Sequence, residues 1–295
     1  MLSICIPVYN YNITQLVSGL WEQAEQAGIS YEILLIDDGS ASCKEENRKI
    51  SALKNVVYKE LEHNTGRSAI RNLLAKEAKY PYLIFMDCDA QIYSSAYISK
   101  YIECCKKKIV CYGGRKHAEN CPGKEYLLRW KYGRTREDAP ASKRSQRAND
   151  SFITFNFLID KDIFQSIKFE EKLKSYGHED TLFGIELKHL GITVKHIDNP
   201  LYHIGLETSE SFIKQTESSI RNLVKIQEEI NSSEEFRNSS KLLRTYTIIS
   251  KLHLVKMLAR LFGISKTYLL KNLLGENPNL FLFDLYKLGY LCTLQ

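Results

Sequence analysis

Asp87 and Asp89, with only Cys88 between them, follow directly on the apolar run Tyr82 to Met86. Carboxylates at the exit of a buried strand are costly unless a positive or hydrogen-bonding partner waits there. Asp-x-Asp offers hard oxygen ligands for Mg2+ or Mn2+, ions that bind through few protein groups plus a substrate's phosphates. Two earlier apolar runs also end in polar clusters: Pro7, Tyr9 and Asn10 close the first, and Asp37, Asp38, Gly39 and Ser40 close the second. Ligands of open α/β sheets bind beyond the carboxyl ends of the strands, so these residues form one candidate set. Neither G-x-G-x-x-G nor G-x-x-x-x-G-K-[ST] follows any of these runs, which weakens a dinucleotide-binding or P-loop reading; a metal ion would neutralise any phosphates instead. Further along, Glu179 and Asp180 open a helical pattern after Gly177, and His203 follows an extended run. Taken alone, the two acids could be helix caps and the histidine a hydrogen-bonded structural residue.

The elements that must position these residues alternate in the manner of a parallel sheet covered by helices. Strands are predicted at 2–8, 31–37, 55–61 and 82–87, with helices between them at 13–27, 41–53 and 66–79; Thr65 is the expected N-cap of the third. A helix at 94–106 and a strand at 108–114 follow. From Arg115 to Asn149 the chain turns basic and polar, and it reads as a mobile surface loop or a lid over the site. A strand at 152–160, short helices at 161–166 and 180–190, extended runs at 193–198 and 200–205 and a long helix at 208–231 come next. After the polar break "NSSEEFRNSS", residues 242–262 are apolar on nearly every side, which predicts a buried or membrane-touching helix.

At 295 residues and 44% hydrophobic composition the chain should fold around a sizeable core. The opening "MLSICIPVYN" turns polar by Tyr9 and Asn10, too soon for a secretory leader, so a cytoplasmic location is expected. Its eight cysteines show no C-x-x-C pair and read as reduced thiols; a zinc site from Cys104, Cys105, Cys111 and Cys121 is conceivable, on a spacing that matches no common motif. The whole net charge of +6 sits in residues 241–295, where eight Lys or Arg face Glu276 and Asp284 alone. Basic residues among Leu, Ile, Phe and Tyr point to an anionic membrane surface and a peripheral position there, and away from nucleic acid; packing on the catalytic part or dimerisation is the other use of such a tail.

The stretches "SICIPVYNYN", "EILLIDDGS", "NTGRSAIRN" and "YLIFMDCDA", in this order and spacing, resemble the family 2 glycosyltransferases of inverting GT-A type. "YGHEDTLFG" and "NPLYHIG" are similar to the acceptor-side motif and metal histidine of chondroitin polymerases and β-galactosyltransferases. The resemblance covers 1–210 and implies a GT-A fold: a Rossmann-like, mostly parallel sheet flanked by helices. A nucleotide-sugar half would occupy 1–114 and a lid and acceptor half 115–210, with 211–295 a helical extension. It implies transfer from a nucleotide sugar, UDP-linked, to a glycan or lipid-linked oligosaccharide acceptor. In that pattern Pro7 and Tyr9 wall the nucleotide pocket, Asp38 accepts from the uracil imide, Arg67 meets base or diphosphate, and Asp87 binds ribose. Asp89 and His203 hold the divalent cation, Mn2+ ahead of Mg2+ for a carboxylate–imidazole set. Asp180 is the catalytic base, Glu179 bonds a sugar hydroxyl, and Gly177 permits the tight turn before them. The tryptophan found upstream of this motif in galactosyltransferases is missing, and Tyr176 would take over sugar stacking.

Two other classes bear on the same residues. A nucleotidyltransferase would carry a glycine-rich basic loop after the first strand, where "VYNYN" stands. A non-catalytic glycan or membrane interaction protein would have no need to retain Asp38, Asp87, Asp89, Asp180 and His203 together.

Overall fold

The computed structural model describes residues 1–173, 177–229 and 233–294. The chain divides into two compact units: 1–116, 138–174 and 182–205 form the first, and 117–137, 175–181 and 206–295 the second. The strands are β1 (Leu2–Val8), β2 (Tyr31–Asp37), β3 (Val56–Glu60), β4 (Tyr82–Met86), β5 (Ala90–Gln91), β6 (Val110–Tyr112), β7 (Arg115–Lys116), β8 (Asn156–Asp160), β9 (Lys195–His196) and β10 (Leu201–His203). In the first unit a seven-stranded sheet runs β3-β2-β1-β4-β8-β6-β9, and β5-β10-β7 form a smaller one. β1, β2, β3 and β4 pair parallel, whereas β8 runs antiparallel to both β4 and β6.

The helices are α1 (Thr14–Gln26), α2 (Lys44–Arg48), α3 (Arg67–Glu77), α4 (Tyr97–Ile102), α5 (Leu127–Tyr132), α6 (Ala141–Arg144), α7 (Lys161–Ser166), α8 (Glu179–His189), α9 (Ser209–Glu229), α10 (Glu234–Ser239), α11 (Lys241–Lys251), α12 (Val255–Leu273) and α13 (Leu280–Thr293). The strand pleat explains why the central strands read as unbroken apolar runs. Leu2, Ile4, Ile6 and Val8 face the layer containing α1 and α4, while Cys5 with Leu34 and Ile36 faces α3 and α7. Between the layers Asn156 is fully buried, and its amide is satisfied by Tyr97, Tyr101 and the carbonyls of Gly114 and Asn199. The second unit packs Leu128, Ile213, Phe262, Leu269, Leu273, Phe283 and Tyr286 into its own core.

Several local expectations change. The expected helix at 41–53 is α2 followed by a 3-10 turn over Lys49–Ala52. Thr65 does not cap α3: Gly66, at φ 94°, holds the cap position, and the Asp38 carboxylate receives the Thr65 and Gly66 amides. The amides that a capping side chain would meet belong to Ser68 and Ala69, so Asp38 anchors the residues before α3 without capping it. The basic stretch 115–149 carries β7, α5, a π-helical turn at Gly133–Glu137 and α6. Buried charge holds it in place of apolar periodicity. Arg144 donates to the Gly113, Ala139 and Ile197 carbonyls, and Arg129 pairs with Glu137 at 3.0 Å and Glu207 at 3.2 Å. The helix predicted over 242–262 is broken at Leu252–Leu254, where His253 adopts φ 57°, so α11 and α12 are separate. Among the described residues, no helix is long and apolar enough to cross a membrane.

Candidate active site at the strand ends

The loops after β1 and β2 are laced together. The Asn10 amide donates to Ser40 Oγ at 2.7 Å, and Asn10 Oδ1 accepts from the Ala41 amide at 2.7 Å. Asp37 is buried and accepts from the Ser40 amide and the Tyr58 hydroxyl. Gly39, at φ 73°, lies so close to the His63–Asn64 backbone that a Cβ would stand 2.7 Å from the His63 carbonyl carbon. Asp38 is buried, with Oδ1 accepting from both the amide and hydroxyl of Thr65 and Oδ2 from the Gly66 amide at 3.0 Å. It therefore fixes the start of α3, and with it Arg67, the first residue of that helix. Pro7 sits in register with Ile36, and Tyr9 projects with half its surface exposed.

Beyond β4, Asp87 Oδ1 receives a hydrogen bond from Arg71 Nη2 at 2.6 Å, and the buried Arg71 guanidinium also lies 5.8 Å from the Phe169 ring centre. Arg71 escaped the sequence reading because it sits inside a helix; the available signal was its position four residues after Arg67 in "NTGRSAIRN". Asp89 Oδ2 and His203 Nε2 lie 2.9 Å apart. The small sheet makes this pair: β10 aligns His203 with Ala90, and the Ile204 amide donates to the Asp89 carbonyl. Phe155 stands edge-on to the His203 ring, and Arg115 lies over Phe155. Burial opposes ionisation of Asp89, but the hydrogen bond and charge of His203, a backbone amide and Arg115 outweigh it and hold the carboxyl below the ordinary carboxylate range. The Cys88 thiol is pushed up to about 12 by burial, then by the charge of Asp89.

Gly205 completes this geometry. A Cβ there would stand 2.6 Å from both Asp89 Cβ and Oδ2. Gly205→Ala should separate the Asp89–His203 pair and, as overpacking, cost about 1–3 kcal/mol in denaturant unfolding.

A carboxylate oxygen and an imidazole nitrogen facing one another are a fitting donor pair for a divalent cation whose other ligands come from a substrate. Among the described residues no group of three or more His, Cys, Asp or Glu side chains is assembled for a metal. A cation at this pair would need further ligands from outside these two side chains.

Glu179 and Asp180 belong to the second unit, where they form the first turn of α8. Two successive left-handed residues precede them, Gly177 at φ 95° and His178 at φ 76°. α9 secures this turn: the buried Asn222 amide donates to the Gly177 carbonyl at 2.8 Å, and Ser219 Oγ lies 3.1 Å from His178 Nε2. Burial lowers the His178 pKa. A Cβ on Gly177 would meet Ser219 Oγ at 2.6 Å, so glycine is required there for both space and backbone angle. Glu179 is buried, while Asp180 is partly open, with Oδ1 accepting from the Thr181 amide. Tyr176, expected to stack on a sugar, lies outside the described residues. Asn222 and Ser219 could not be found from motifs, since nothing in the α9 sequence marks which turn it supports.

The chain matches the model of the family described as Glycosyl transferase family 2 over residues 3–167. A stretch of 110 residues is 28% identical to the teichoic acid poly(glycerol phosphate) polymerase of Staphylococcus epidermidis, covering 35% of this chain and 15% of that protein. A stretch of 90 residues is 33% identical to the chondroitin synthase of Escherichia coli, covering 30% of this chain and 13% of that one. The matches thus span a small fraction of these relatives' length. In fold, the chain is similar to S. aureus TarS 1–349 in complex with UDP, with TM-score 0.51 and 16% identity over 98% of this chain and 88% of that one. It is also similar to the mannosyltransferase PcManGT from Pyrobaculum calidifontis in complex with GDP-Man and Mn2+, with TM-score 0.58 and 10% identity over 99% and 86% of the two chains.

Proposed function

The chain belongs to glycosyl transferase family 2, and from that premise we propose that it is an inverting, metal-dependent enzyme of polysaccharide biosynthesis. It moves a sugar from a UDP-sugar to a hydroxyl of a glycan or lipid-linked oligosaccharide. The observation that carries this reading is the meeting of Asp89 with His203 across 114 positions of sequence, at 2.9 Å. The Mn2+ bound by the mannosyltransferase and the UDP bound by TarS support a divalent cation and a uridine nucleotide as partners.

In this account Asp89 and His203 hold Mn2+ or Mg2+. When bound, the cation supplies positive charge to the diphosphate leaving group. Pro7 and Tyr9 flank the base. Asp38 anchors the Thr65–Gly66 loop and presents the remaining lone pair of Oδ2 to the uracil imide, with Arg67 beside it. Asp87, oriented by Arg71, accepts from ribose hydroxyls. Asp180 removes the proton of the acceptor hydroxyl as that oxygen attacks the anomeric carbon from the face opposite UDP, which inverts the centre. Glu179 holds a sugar hydroxyl. The catalytic part is 1–210, and residues 211–295 are an extension that faces an anionic membrane leaflet, where a lipid-linked acceptor would be carried.

Calorimetric titration of UDP with and without Mn2+ tests the reading. Binding that requires the metal is expected; equal binding, or none, would turn the assignment toward a non-catalytic glycan or membrane interaction protein.

A further inference from the structure

Between Glu235 and Glu276 the sequence holds eight Lys or Arg and no acidic residue. α12 lies inside this stretch and divides its residues sharply. Phe262, Leu269 and Leu273 turn inward to the core of the second unit. Met257, Leu261, Ile264 and Tyr268, spaced four, three and four residues apart, fall on one line along the opposite side and are 49%, 51%, 84% and 69% exposed. Helical spacing sets Lys256, Arg260 and Lys271 along one flank of that line, all exposed. Lys266 is used differently, pairing with Glu217 at 3.4 Å and lying over the Phe262, Tyr286 and Tyr290 rings. Among the described residues, none of Lys256, Arg260 and Lys271 has an acidic partner.

A row of exposed large apolar side chains is a surface that water disfavours, and the charge beside it selects what covers it. A second copy laid on the same face would bring Lys256 and Arg260 against their own kind, whereas anionic head groups complement every charge on the flank. Four cationic side chains keep α12 from spanning a bilayer, and none of the described helices is apolar enough to do so. We propose that α12 is a membrane-docking helix that lies in the plane of an anionic bilayer, burying Met257, Leu261, Ile264 and Tyr268 among the acyl chains and setting Lys256, Arg260 and Lys271 at the head groups. The tyrosine suits this depth because its ring is apolar and its hydroxyl reaches water. The proposal deepens the membrane-facing reading of residues 241–295 and does not depend on the assignment of Asp180, Asp89 or His203.

Flotation of the full chain with phosphatidylcholine vesicles, with and without phosphatidylglycerol, tests it. Metal-dependent UDP binding and thermal melting serve as controls for site and fold. The wild-type chain should float with the anionic vesicles only, and less so in high salt. Lys256→Gln/Arg260→Gln should weaken partitioning on the order of 30-fold, and Leu261→Ser/Ile264→Ser by about 100-fold, with UDP binding and melting unchanged in both. A wild-type chain that stays unbound while still binding UDP overturns the docking proposal and leaves the transferase reading standing. Variants that float as well as the wild type assign docking to another face. A dimer in sedimentation that Leu261→Ser/Ile264→Ser dissociates gives this face to a second copy and ends the proposal.

Discussion

Asp180→Asn is expected to lower turnover by about 10²–10⁴-fold, the range of general-base assistance, while metal-dependent UDP affinity stays unchanged. Asparagine keeps the size of the side chain and an oxygen that can accept from the Thr181 amide, so the first turn of α8 should survive. What it loses is the capacity to take a proton from the acceptor hydroxyl. The donor is held in this account by residues of the first unit, whereas Asp180 acts on the acceptor alone, so the loss should appear in kcat and spare the nucleotide. Single-turnover assays with saturating UDP-sugar, paired with UDP calorimetry, read the two effects separately. A variant that loses UDP affinity in proportion to rate would place Asp180 among the donor ligands and remove it from the role of base.

Asp89→Ala should damage both quantities. Loss of a mere outer partner of a metal ligand costs about 10–100-fold in affinity or activity, and a direct ligand from a set of only two should cost more. His203→Ala should behave alike. Because the two side chains would act on one ion, the double variant should be little worse than either single one. Additive losses would mean that the two residues serve different groups. The substitution also removes the hydrogen-bond partner of a buried histidine, so thermal melting must accompany the assay to separate loss of fold from loss of metal.

The strand-end residues were legible because a sheet buried on both faces gives unbroken apolar runs, and the polar residue types begin where each run stops. Unbroken apolar runs closing on acids place Asp37, Asp38, Asp87 and Asp89 without further information. The pairing of Asp89 with His203 was legible only through the family resemblance, since a contact across 114 positions leaves no local pattern. Interactions that depend on tertiary approach stayed hidden. The spacing of Arg67 and Arg71 in "NTGRSAIRN" marks one helix face but does not name Asp87 as its partner, nor does the stretch show that Asp38 receives the Thr65 and Gly66 amides. The break between α11 and α12 contains neither glycine nor proline, and His253 takes the left-handed conformation there, so periodicity ran through it. The structured part of 115–149 was opaque for another reason: its anchors are arginines, which read as solvent-facing in sequence and are buried in the fold.

One divalent cation is expected on Asp89 and His203 when the nucleotide is bound. Pulsed EPR of Mn2+ in the UDP complex measures it most directly, because nitrogen bonded to manganese modulates the electron spin echo. Imidazole nitrogen modulation is expected in the wild-type complex and should disappear in His203→Ala. A complex that binds Mn2+ and UDP with no nitrogen modulation, or with modulation that persists in His203→Ala, would contradict it.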